Sequence, residues 1–166
     1  MKKLIAAAVL AAAAPLAMTG AAPAALAQAE AEVEGELTIP TPPPGKGQVL
    51  FYRTGGLSGA ALGCAVFDVG AADKLSSLGA GKYFILVSDP GPRSFTVKSL
   101  ETKDALTLEI EEGETQFVRC KIKTGFMSGR ADIGPSTETE FRTKHKNPKL
   151  VDAEDMSEAV KATNYP

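Results

Sequence analysis

Hydrophobic and polar positions follow distinct regimes along the chain. Leu4 to Met18 is an almost unbroken apolar run, interrupted by Pro15. From Gln28 to Gly47 apolar positions thin out, as Glu30, Glu32, Glu34 and Glu36 alternate with small residues and Pro40, Pro42, Pro43 and Pro44 follow. After Gly47 short apolar segments are divided by turn residues, the rhythm of an all-β fold of sandwich type. The pattern predicts strands over Gln48 to Arg53 and near Cys64 to Val69, with a glycine-rich connection between them. Lys82 to Val87 is continuously apolar and reads as a strand buried on both faces. Asp89-Pro90-Gly91-Pro92 supplies a turn, with Pro90 fixing φ and Gly91 free to take a positive one.

The clearest alternation follows. Phe95 and Val97 alternate with Ser94, Thr96 and Lys98, and Leu106, Leu108 and Ile110 alternate with Thr107, Glu109 and Glu111, so each strand has one wet face. Glu112-Gly113-Glu114 is expected to reverse the chain so that Thr115 to Lys123 returns as a hairpin partner, its Arg119, Lys121 and Lys123 opposite Glu109 and Glu111. The tail changes period. Thr137-Glu138-Thr139-Glu140 fits a capping box and predicts a short helix carrying Phe141 toward the core. A second helix is expected from Asp152, with Met156 and Val160 on one face. The resulting organisation is a leader over residues 1–27, a disordered acidic and proline-rich spacer over 28–46, a β-sandwich domain over 47–134, and a short helical C-terminal tail over 135–166.

Composition sharpens the reading of the two ends. With 166 residues and 44% hydrophobic content, there is material for one core and too little for two. Lys2 and Lys3 precede the apolar run, and Ala25-Leu26-Ala27 places small residues where a signal peptidase needs them, so the chain reads as exported with cleavage after Ala27. The run is shorter than the roughly 20 residues of a membrane span. The first cysteine is Cys64, so nothing near the cleavage point would carry acyl chains. The expected product is periplasmic, with no stable membrane anchor. Cleavage removes two lysines and no acids, taking the formal charge from −2 to −4. Lys144, Lys146 and Lys149 form only a short basic cluster, so nucleic acid is not an expected partner.

Export gives the two cysteines their meaning, because thiols pair in an oxidising compartment. Cys64 and Cys120 fall on different predicted strands, and joining them would contribute roughly 4 kcal/mol in the chain-entropy model. Two buried free thiols are the alternative, since Cys120 is in phase with Val118 and Ile122 while Cys64 shares its face with Val66 and Asp68. Their spacing is not that of a catalytic Cys-x-x-Cys pair. His145, the only histidine, lies among Lys144, Lys146 and Asn147 and reads as a solvated surface residue. No nucleophile, base and orienting group assemble from these residues, and no metal or cofactor pattern is present, so an enzyme is not expected. The glycine-rich segments Gly55 to Gly63 and Gly125 to Arg130 read as end loops, the second carrying Phe126 and Met127 either as an exposed patch or as a plug under the sheet. If contact uses the loop ends, Arg53, Leu57, Phe126, Met127 and Arg130 are the candidate interaction residues.

Several of these segments also occur in a recognisable order. Gly45-Lys46-Gly47-Gln48-Val49-Leu50-Phe51-Tyr52-Arg53, Gly59 to Gly63, Leu78 through Phe84, Pro90-Gly91, Leu106-Thr107-Leu108-Glu109, Gly113-Glu114-Thr115, and Gly129-Arg130 through Pro135-Ser136 together resemble the bacterial Domain of Unknown Function 2846 family. The resemblance spans about Lys46 to Phe141. It implies an exported β-sandwich, similar to transthyretin-like and PEGA modules, with no catalytic residues to transfer. Pro92-Arg93 stands where relatives commonly have Lys-His after the Pro-Gly turn, and many relatives lack the cysteine pair. The expected function is a non-enzymatic binding or structural module of the bacterial cell envelope that engages an envelope protein. The alternative is a periplasmic carrier of a small apolar ligand, held in a cleft between the sheet and the tail helices.

Overall fold

The structure is a computed structural model and describes residues 37–56, 62–71, 73–98, 105–124 and 129–165. Among the described residues nine strands form two sheets, with one short helix before the last strand and another after it, so the chain has an all-β fold with a short helical tail. The strands are β1 (Gly47–Arg53), β2 (Cys64–Asp68), β3 (Lys74–Leu78), β4 (Lys82–Ser88), β5 (Gly91–Val97), β6 (Leu106–Ile110), β7 (Thr115–Thr124), β8 (Gly129–Ser136) and β9 (Lys149–Leu150). The helices are α1 (Glu138–Lys144) and α2 (Glu158–Asn164), with a single 3-10 turn at Ala153–Asp155. One sheet has the order β8-β7-β1-β4-β9 and the other β3-β2-β5-β6.

The alternating strands face their apolar rows toward one another. Val49 and Phe51 of β1, Phe84 and Leu86 of β4, and Val118 and Cys120 of β7 meet Cys64 and Val66 of β2, Phe95 and Val97 of β5, and Ile110 of β6. Phe51 stacks on Phe84 at 4.9 Å between ring centroids and meets Phe95 edge-on at 5.0 Å, geometries that aromatic quadrupoles favour. Cys64 and Cys120 form a disulfide between the two sheets. The same-face argument that left Cys64 ambiguous resolves because Val66 and Asp68 are buried with it.

Several expectations are corrected. Thr115 to Lys123 does not pair with Leu106 to Ile110: β6 lies in the second sheet, whereas β7 runs parallel to β1 and antiparallel to β8. The Glu111–Glu114 turn therefore carries the chain from one sheet to the other. Gly113 takes a positive φ of 77° there, and its N–H bonds the Lys46 carbonyl at 2.9 Å, which fastens the crossing to the start of β1. Gly47 has no room for a side chain, since a Cβ would stand 2.3 Å from the Glu111 carbonyl oxygen. The acids of β6 consequently do not meet the bases of β7; Arg119 pairs with Glu140 and Lys123 with Asp132.

The second helix also starts later than Asp152. The 3-10 turn is followed by Met156, bridged to Ser76 of β3, and only then by α2, which buries Val160. This tail closes one flank of the sandwich. The Ser157 N–H bonds the Leu75 carbonyl at 2.8 Å on β3, and the Asn164 side chain bonds both Ile85 N and O, at 3.0 and 2.7 Å, on β4. Asn164 thus takes over as hydrogen-bond partner to β4 where the two-residue β9 stops.

Candidate functional site

β1 has no wet face. All seven of its residues are buried, although only alternate ones point between the sheets. The others, Gln48, Leu50 and Tyr52, lie on the outer face beneath a cover made of α1 and the segment from Leu37 to Pro44. Leu37 and Ile39 pack on a cluster of Leu50, Tyr52, Ile85, Phe117 and Phe141. Gln48 Nε2 donates to the Pro40 carbonyl at 2.6 Å and to Thr115 Oγ1 at 2.8 Å, and Pro42 is buried. The part of the expected spacer from Leu37 onward is therefore a strap laid on the sheet, because its two apolar side chains find the outer face of β1 and β7. Arg142 ties helix to strap, donating to the Leu37 carbonyl at 3.2 Å and pairing with Glu138.

Helix α1 begins with the N-cap half of the expected capping box, while the Glu140 carboxylate turns to Ser136, Arg119 and Lys144. Thr137 is the N-cap, and its hydroxyl accepts from Glu140 N at 3.1 Å. Phe141 is the helix's buried residue and its ring lies 5.0 Å from that of Tyr52 and 5.9 Å from that of Phe117. A polar chain runs along the edge of this cluster. Ser136 Oγ donates to Glu140 Oε2 at 2.7 Å, so the Tyr52 hydroxyl, 2.7 Å from the same Oγ, donates to it. Arg119 and Lys144 also bind Glu140, at Oε1. Hydrogen bonds from Ser136 and Lys144 hold the Glu140 carboxyl below its ordinary range, while burial raises the Tyr52 phenol.

His145 corrects the expectation of a surface residue. It caps the C-terminus of α1, is 3% exposed, and lies 5.6 Å from the Tyr52 ring and 5.3 Å from the Phe141 ring. Neither ring nitrogen has a hydrogen-bond partner among the described residues. Burial pushes its pKa down from 6.5, and the nearby main-chain carbonyls of Arg53 and Gly81 oppose that shift without overcoming it. The missed signal was periodic: His145 follows Phe141 by four residues and shares its helix face. The continuous Val49-Leu50-Phe51-Tyr52 run was the matching signal that β1 is covered on both sides.

Of the candidate interaction residues, Arg53 and Arg130 fall among the described ones. Arg53 is 3% exposed and points between the sheets, its guanidinium donating to the carbonyls of Leu62 and Leu78, so it closes one end of the sandwich and does not present itself to a partner. Arg130 is half-buried on β8 opposite Lys123, on the opposite face of the sheet. Leu57, Phe126 and Met127 lie outside the described residues. Arg93 of β5, which follows the Pro90-Gly91 turn in sequence, is spent on Asp68 and on Ser88 Oγ at 2.9 Å. No protein-family model, curated protein or solved structure matches the chain. Any metal site would need a cluster of His, Cys, Asp or Glu, and the described residues contain none of three or more.

Proposed function

We propose that the protein is an exported, non-enzymatic binding or structural module of the bacterial cell envelope, working in the periplasm and engaging a partner protein at the edge of β6. The observation that carries this reading is the asymmetry of the two flanks. The C-terminal tail covers the flank formed by β3 and β4, whereas no strand pairs with the outer edge of β6 among the described residues. The Glu109 carbonyl accepts from Gln116 Nε2 and thus points away from β5, and the two-residue period turns the main-chain groups of Thr107 the same way. An extended segment adding to such an edge gains main-chain hydrogen bonds. The neighbouring edge of β8 is a poorer acceptor of a strand, because Pro135 supplies no N–H.

The inter-sheet disulfide and the Lys2-Lys3, apolar run and Ala25-Leu26-Ala27 series support export. Membership of the Domain of Unknown Function 2846 family belongs to the same proposal and rests on the ordered sequence segments alone. The carrier reading is less well supported, since Val151, Met156 and Val160 fill the space between sheet and tail where its ligand would sit. The test places a photo-crosslinking residue at position 107 in intact cells. A discrete adduct that Thr107→Pro abolishes in a companion interaction assay, at unchanged melting temperature, is the expected result. Unchanged partner capture by the proline variant would overturn the proposal.

A further inference from the structure

The cover over the outer face of β1 has the construction of a release mechanism. Helix α1 has seven residues, too few to persist once undocked, and Phe141 is the side chain it buries. It is tied to the strap through Arg142 and the Leu37 carbonyl, so undocking of the helix removes one of the strap's anchors. At its C-terminus stands His145, a titratable ring buried between Tyr52 and Phe141, with only the main-chain carbonyls of Arg53 and Gly81 nearby to offset a proton's charge among the described residues. We propose that α1 and the strap form an acid-released cover over Leu50, Tyr52, Ile85 and Phe117, with His145 as its latch.

The groups around the ring leave it as the one that changes charge in mildly acid conditions. Tyr52 on β1 and Tyr83 on β4 are phenols whose pKa burial raises, so both stay neutral. Glu140 on the same helix stays ionised, held down by hydrogen bonds from Ser136 and Lys144, and its carboxylate also pairs with Arg119 of β7. Arg53 and the Gly81 turn offer main-chain carbonyls to the ring, and the Lys82 side chain is engaged with Asp152. Those carbonyls and the helix C-terminus favour a protonated ring, but burial outweighs them. The sign follows. With its folded pKa below 6.5, the ring contributes its full docking stability above that pH. The contribution falls as the solution is acidified from 6.5 toward the folded value, because the released histidine takes a proton that the docked one refuses.

Hydrogen exchange on the untagged full chain between pH 7.5 and 5.0, corrected for intrinsic exchange rates, tests this. Protection of the α1 amides is expected to fall by up to about tenfold per pH unit below 6.5 while β2 and β5 hold theirs, and His145→Phe is expected to flatten the response. An equal loss in β2 and β5, no loss in α1, or an undiminished response in His145→Phe would overturn the latch. Should that variant not fold, the native protein decides through its imidazole proton resonance, unique because the chain has one histidine. Titration below 6.5 in step with α1 protection supports the latch, and titration at or above 6.5 overturns it.

Discussion

The two faces of the β1 sheet solve the same burial problem by different means. The inner face meets a second sheet across a core of aliphatic and aromatic side chains, stapled by Cys64–Cys120, with Arg93 over the Phe95 ring at its margin. Among the described residues the outer face meets a helix of about two turns and a strap, and its cluster is edged by Tyr52, Ser136, Glu140 and His145. A sheet brings many long-range contacts at once, so losing one weakens the whole unit. A short helix depends on a few side chains, so losing one frees a part. The inner face therefore carries stability and the outer face carries adjustability.

Removing the staple should produce the largest effect. Cys64→Ala with Cys120→Ala is expected to cost about 4 kcal/mol in the chain-entropy model, seen as a lower midpoint of a single denaturant transition. A loss confined to exchange at α1 would break the distinction between the faces. Phe141→Ala is expected to cost about 3 kcal/mol, the low end for a buried phenylalanine, but the loss should appear as deprotection of α1 and the strap while β2 and β5 stay protected. If the core strands lose protection equally, the cover is part of the cooperative core. Thr137→Ala removes the cap on Glu140 N and should cost about 1 kcal/mol, again read at α1. The smallest effect is electrostatic. Glu140, held below the ordinary carboxylate pKa of 4.5, stabilises the docked helix above that pH, and its contribution disappears as the pH drops through its folded value. Glu140→Gln should remove this acid sensitivity and shift stability at neutral pH by less than about 1 kcal/mol, since the pair is partly exposed.

The strands with strict alternation, Phe95/Val97 and Leu106/Leu108/Ile110, were legible because one wet face leaves a period of two in the sequence. So was the start of α1, whose Thr137 and Glu140 state the cap locally. Lys74 to Leu78 was not, since two serines interrupt its apolar positions and Ser76 is buried through pairing supplied by distant residues. The hairpin expected between β6 and β7 failed for a similar reason. A turn residue such as Gly113 specifies a local reversal, but whether the next strand returns to the same sheet depends on where β1 lies, and β1 is more than fifty residues earlier in the chain.

Local chemistry thus determined what each segment is: its strand period, its cap, its turns, and two cysteines placed to cross-link. It also set the all-β character of the domain. Tertiary structure decided which faces are covered. Arg53 turned inward to close the sandwich on main-chain carbonyls, Leu37 and Ile39 came down onto β1, and His145 went under with Phe141. Burial is a property of what arrives from elsewhere in the chain, so a histidine flanked by lysines reads as a surface residue until the rings of Tyr52 and Phe141 close around it.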